Sequence, residues 1–297
     1  MTETPEMAAV AERLAARPPS VGAMLVDQVE KSGPREAFRY REGDRWVSLT
    51  WNETRDRAFN LAAGLLALGI QPEDRVAIAC STRIEWILAD LAVMCAGGAT
   101  TTVYPTTQHE DVAYIVGDSE SRVIFAEDEL QVAKVLDHLD SLPLLGKIVL
   151  MSGHVDHERV LDLVQFEALG REYLAANPDC VDEAIAKTGP DSLSTLIYTS
   201  GTTGRPKGVR LAHDAWTYTG AAISELELLN RDDLQYLWLP LSHVFGKVLN
   251  AVQLRIGFAT AVDGNIDRIV ENLGQVHPTF MAGAPRIFEK VRAKVMV

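Results

Sequence analysis

The sequence is short of the features that mark several large protein classes. Its three cysteines, Cys80, Cys95 and Cys180, are odd in number and never fall at C-x-x-C spacing. They support neither a disulfide framework nor a zinc knuckle, and they fit a reducing cytoplasm. Positive charge is also scarce, with 28 Lys and Arg against 41 Asp and Glu, a net charge of -13. The clustered basic field of a nucleic-acid binder is missing, so no nucleic-acid partner is expected. Long apolar runs are absent too. The most apolar window, Trp86 to Tyr104, contains Asp90 and the pair Gly97-Gly98, and reads as a buried helix followed by a buried strand rather than a membrane span. The opening MTETPEMAAVAERLAARPPS has no basic stretch leading into an apolar core, so it is not a signal peptide.

What is present is ordinary globular material. Hydrophobic residues make up 47% and charged residues 23% of 297, which excludes wholesale disorder. At roughly 150 residues per domain the length suggests about two compact units. Residues 1–20 are expected to form a flexible tail closed by Pro18-Pro19, with folded structure from residue 21 onward. From there helical and strand signals alternate. A helix is expected over 21–32, a hairpin from 37–40 and 46–49, and a helix capped by Thr50 and stopped by Gly69. Short apolar strands at 75–80, 100–104, 122–126 and 147–151 are separated by helices over 84–96, 110–117 and up to about 137. This alternation predicts βαβ units, hence an α/β fold with mostly parallel sheets flanked by helices.

Residues 152–190 are polar, with one helix expected over about 166–175. Beyond them come a strand at 194–199, a glycine-rich turn and a helix over 213–228. Strands at 235–239, 258–262 and 279–281 then alternate with helices over 244–254 and 266–276 and from Pro285. The last helix reaches Val297 without a Gly, Asn or Pro terminator, which is the pattern of a break inside a larger domain.

The densest chemistry lies in Tyr198-Thr199-Ser200-Gly201-Thr202-Thr203-Gly204-Arg205-Pro206-Lys207-Gly208, where a strand meets three glycines, four small hydroxyl side chains and one lysine. Glycines let the backbone approach phosphate oxygens, N–H groups and hydroxyls donate to them, and Lys207 adds positive charge. A polar surface turn is the plain alternative. The spacing is not G-x-x-x-x-G-K-[ST], and no G-x-G-x-x-G follows a strand, so neither a Walker loop nor a nicotinamide site is supported.

YTSGTTGRPKGV (Tyr198 to Val209) resembles the phosphate-binding signature of the adenylate-forming superfamily, which includes acyl-CoA synthetases, peptide-synthetase adenylation domains and luciferases. LPLSHVFGK (Leu239 to Lys247) resembles its second core segment, and GAPRIFEKV (Gly283 to Val291) resembles the PR-x-FEK segment of the long-chain fatty acyl-CoA synthetases. Ser81 to Thr106 and Asp118 to Glu127 fit the same branch. The resemblance covers about 21–297 and implies a partial N-terminal AMP-binding (adenylation) domain, about half of a family member. A later Y-G-x-T-E segment, a ribose-binding aspartate, the hinge and a small C-terminal domain have no counterpart here.

The resemblance implies ATP-dependent activation of a long-chain fatty acid to acyl-AMP, then thioester formation with CoA, with Mg2+ accompanying ATP. Thr199, Ser200, Gly201, Thr202, Thr203, Gly204 and Lys207 would cradle the phosphates, and His243 would lie beside the substrate carboxylate. No covalent nucleophile is required. The alternatives for His243 and Lys247 are a locally hydrogen-bonded residue and a solvated surface charge, and Trp238 and Phe245 are expected to pack. The resemblance further implies a cytoplasmic location, compatible with peripheral contact at the inner membrane face and with an oligomer. This chain alone is expected to be impaired or inactive. The alternatives are a non-catalytic truncated remnant that binds nucleotide or lipid, and a fatty acyl-AMP ligase. Gly246-Lys247 stands where long-chain members often carry Glu-Arg, which leaves chain-length preference open.

Overall fold

The computed structural model describes residues 5–199 and 204–295. The first surprise is at the N-terminus. Where a loose tail is expected, Pro5–Ala15 forms helix α1, tied to the body by the Arg13–Glu225 ion pair at 2.6 Å. Helix α2 (Val21–Ser32) follows, its Ala23 N donating to the Ser20 hydroxyl. Strands β1 (Glu36–Glu42) and β2 (Arg45–Thr50) form the expected antiparallel hairpin. Thr50 and Glu53 then cap α3 (Trp51–Ala67) reciprocally, satisfying two amides that would otherwise lack partners. Gly69 ends the turn at φ 84°, a left-handed conformation suited to glycine.

The βαβ reading holds through the middle of the chain: β3 (Arg75–Ala79), α4 (Ile84–Cys95), β4 (Ala99–Val103), α5 (His109–Asp118), β5 (Val123–Ala126), α6 (Glu129–Leu136) and β6 (Lys147–Leu150). The polar 152–190 stretch holds β7 (Val160–Asp162), the expected helix as α7 (Leu163–Ala176), and a further helix α8 (Cys180–Lys187); β7 and α8 were not expected. The remainder runs β8 (Leu193–Thr199), β9 (Lys207–Ala212), α9 (His213–Ser224), β10 (Leu234–Leu237), α10 (Val244–Ile256), β11 (Ala259–Val262), α11 (Ile269–Val276) and α12 (Pro285–Val295). The strand expected at 279–281 reduces to one bridge, Gln235 with Phe280.

Two sheets result. The larger has the order β7-β6-β5-β3-β4-β8-β9, parallel except for β9, which pairs antiparallel with β8. The smaller has the order β10-β11-β1-β2, in which β1 lies parallel to β11 although the two are distant in sequence. Strands β3, β4, β5 and β6 of the large sheet are buried almost throughout, as cover on both faces demands. One face packs on α5 and α6 through Val112, Ile115, Val116, Val132 and Val135. The other face shares one continuous core with α2, α3, α4 and the small sheet, centred on Phe38, Trp51, Trp86 and Phe125. A layer of helices is therefore sandwiched between the sheets.

Loops at the C-terminal ends of strands from both sheets meet. The Thr82 hydroxyl, just past β3, donates to Leu239 O at 2.8 Å, and Gly264 N, just past β11, donates to Thr82 O at 2.9 Å. Open α/β sheets bind ligands at this edge.

Candidate functional site

Thr199 closes β8 and lies directly across the hairpin from Lys207, the first residue of β9. Both are exposed. Gly204 has φ 113°, and nothing stands within 4 Å of where a Cβ would be. The backbone is therefore bare and able to meet a ligand closely. Ser200, Gly201, Thr202 and Thr203 lie outside the described residues. The hairpin base is well anchored. The Tyr198 phenol donates to Asp118 Oδ2 at 2.7 Å, and burial followed by that carboxylate pushes its pKa up. Gly208 packs flat on the Tyr198 ring, where a Cβ would come to 3.1 Å. Arg205 stacks over the Tyr114 ring at 5.0 Å, a cation–π contact.

The histidine segment reaches the same edge of the sheet. The Ser242 hydroxyl donates to Val103 O at 3.1 Å, and the Thr102 hydroxyl donates to Ser242 O at 3.1 Å. Thr102 pairs with Ile197 in the neighbouring β8, so the ends of β4 and β8 and the Ser242 turn converge. His243 follows as the N-cap of α10, exposed, with Nδ1 accepting from Phe245 N at 3.2 Å. The turn sits tightly against its own helix, because a Cβ on Gly246 would stand 2.4 Å from Pro240 O.

One expectation and one alternative about this segment fail. Phe245 does not pack; it is 42% exposed beside His243, whereas Trp238 is buried and donates to Ala282 O. Lys247 is not a surface charge. It is 4% exposed, its Nζ donating to Asp90 Oδ1 at 2.7 Å and Thr195 Oγ1 at 3.1 Å. Burial pushes its pKa down and Asp90 pulls it back up. Nothing in the sequence near Lys247 announces this, because its partners come from α4 and β8.

Buried His213, whose Nδ1 accepts from Val21 N at 3.1 Å, lies close enough to feel Lys247. Burial first, then that charge, takes its pKa down to about 4. Burial likewise pushes up the thiols of Cys80, Cys95 and Cys180. A thiol so placed is a poor nucleophile. Among the described residues no group of three or more His, Cys, Asp or Glu could hold a metal ion, and no helix is long and apolar enough to cross a membrane.

The base of the Thr199–Lys207 hairpin and the His243 turn thus meet at one edge of an α/β fold in which two sheets enclose a helical layer. Solved structures agree on the fold. The anthranilate CoA ligase AuaEII, in complex with anthranoyl-AMP, superposes with a TM-score of 0.80 at 18% identity over 93% of this chain and 52% of its own. A long-chain-fatty-acid-CoA ligase (FadD1) from Archaeoglobus fulgidus gives 0.74 at 18% identity over 92% and 53%. The family model for AMP-binding enzymes matches residues 25–296, and the chain belongs to that family. Curated relatives include the long-chain-fatty-acid–CoA ligase ACSBG2 of Xenopus laevis, 31% identical over 94% of this chain and 39% of its own length. The long-chain-fatty-acid–CoA ligase FadD15 of Mycobacterium tuberculosis is 29% identical over 91% and 44%. The chain thus spans about two fifths of the length of these relatives.

Proposed function

We propose that this chain is the phosphate-gripping and acyl-positioning part of an AMP-forming long-chain fatty acid–CoA ligase. The carrying observation is the convergence of the Thr199–Lys207 hairpin and the His243 turn at one sheet edge. In the first half-reaction a fatty carboxylate oxygen attacks the α-phosphorus of ATP, and the bond to pyrophosphate breaks. In the second, the CoA thiolate attacks the acyl carbon and AMP leaves. The first step brings two anions together, so its rate rests on fixed positive charge and aligned donors. Lys207 and the backbone from Thr199 to Gly204 supply those donors, with the Ser200, Gly201, Thr202 and Thr203 groups among them. His243 would face the fatty carboxylate, with Phe245 as an apolar neighbour.

ATP titration by calorimetry tests the phosphate site. Lys207→Ala removes one charge-assisted contact, worth about 1.5–3 kcal/mol, so affinity should fall roughly ten- to a hundredfold. Equal affinity for both proteins would remove Lys207 from the site. Pyrophosphate release with palmitate, followed by a thiol-consumption assay with CoA, then separates ligase from acyl-AMP ligase chemistry.

A further inference from the structure

Lys247 places a charge in the protein core, and the contacts around it show what that charge could do. Its Nζ is held by Asp90 of α4 and Thr195 of β8, and it lies 5.2 Å from the Trp216 ring centre and 5.6 Å from that of Trp86. Asp90 Oδ1 also accepts from the Thr100 hydroxyl of β4 at 2.7 Å. Trp216 Nε1 of α9 donates to the hydroxyls of Thr195 and Ser194, at 3.1 and 3.0 Å. One ammonium group therefore joins α10 directly to α4 and β8, stacks on Trp216 of α9, and reaches β4 through Asp90.

Stability alone is a weak reason for such an arrangement. Two charges taken out of water are costly to desolvate, and a well-packed apolar pair often serves as well or better. What an apolar pair lacks is direction. Lys247 lies one turn after His243 on α10, and Thr195 lies on the strand that ends at Thr199. The ion pair and its hydroxyl partners thus span the two segments that form the candidate site. The Ser242 bonds to β4 and the close seat of Gly246 on Pro240 hold the same turn from the other side.

We propose that Lys247 is a positioning residue for acyl activation: its buried pair with Asp90 sets the His243 turn in register with the phosphate-loop strand β8. The proposal rests on the function given above, but its geometric half can be measured without turnover.

The test compares wild type with Lys247→Met/Asp90→Leu, which replaces the pair by apolar side chains, and with Lys247→Arg, which keeps a charge and donors. Thermal midpoints, amide hydrogen exchange in residues 242–247, and kcat and KM for adenylate formation are measured on the full chain. In the apolar double variant the midpoint should stay within about 5 °C. Exchange across the turn should quicken at least tenfold, and kcat should fall at least tenfold while KM for ATP changes less than about twofold. Lys247→Arg should return exchange and kcat to within about threefold of wild type. Unchanged exchange in a folded double variant overturns the proposal, as does an unchanged kcat. If the double variant does not fold, Asp90→Asn takes its place with the same outcomes. A wild-type chain without turnover is the outcome expected of a chain that spans about two fifths of its relatives' length; exchange alone then decides whether Lys247 positions the turn, and unchanged exchange overturns the proposal.

Discussion

His213 shows how far burial can shift a single side chain. Its ring is fully buried and its pKa falls from an ordinary 6.5 to about 4. Between those values the unfolded chain holds a proton that the folded chain does not, so stability drops as pH falls through that window. At about 1.4 kcal/mol per unit the loss is of the order of 3 kcal/mol. Thermal midpoints should therefore decline between about pH 6.5 and pH 4 more steeply in wild type than in His213→Gln. Gln keeps an acceptor for Val21 N and carries no titrating group. Parallel curves would assign the acid sensitivity elsewhere.

Residue identity alone could not reveal this environment. The glycine-rich loop was legible because its composition is unusual wherever it occurs. The burial of Lys247 was not legible, because a lysine reads as solvated until Asp90 and Thr195 are brought to it by folding. Phe245 misled in the opposite direction: aromatics usually fill cores, and this one is exposed beside His243.

At the scale of elements, the sequence marked the strands with continuous apolar runs and the helices with caps, and these appear within a few residues of their expected places. Failures cluster where an element depends on its neighbour. Strand β9, KGVRLA, is mostly exposed and lacks a buried stripe; pairing with β8 is what makes it a strand. Helices α7 and α8 both carry few buried residues, and of the two only α7 was expected in the polar 152–190 stretch. Yet α7 meets α3 very closely, since a Cβ on Gly170 would lie 1.8 Å from Asn60 O and 3.0 Å from Gly64 N. Gly170→Ala must push the helices apart, at a cost of about 1–3 kcal/mol. A fall in the thermal midpoint of roughly 2–10 °C is expected, and calorimetry showing no fall would mean the crossing is looser than its geometry indicates.

At the scale of the whole molecule, the expectation of mostly parallel sheets is met, but the division into two sheets around a shared helical layer was beyond sequence reading. Register between strands as distant as β1 and β11 leaves no local trace. Because one core joins Phe38, Leu49 and Val262 of the small sheet to Val76, Phe125 and Ile197 of the large one, neither sheet can lose its packing alone. Unfolding followed by tryptophan fluorescence and by far-ultraviolet dichroism should therefore share one midpoint. Two separated transitions would show that the sheets are independent.

The pairing of Phe38 with Thr260 also has a consequence in time. A ribosome adding about 5–20 residues per second needs roughly 10–45 s to cover the stretch between them. Throughout that interval the nascent β1–β2 hairpin has one side of β1 unfilled, and an open strand edge is an invitation to wrong partners. The hairpin is made well before its permanent neighbour, β11, leaves the ribosome.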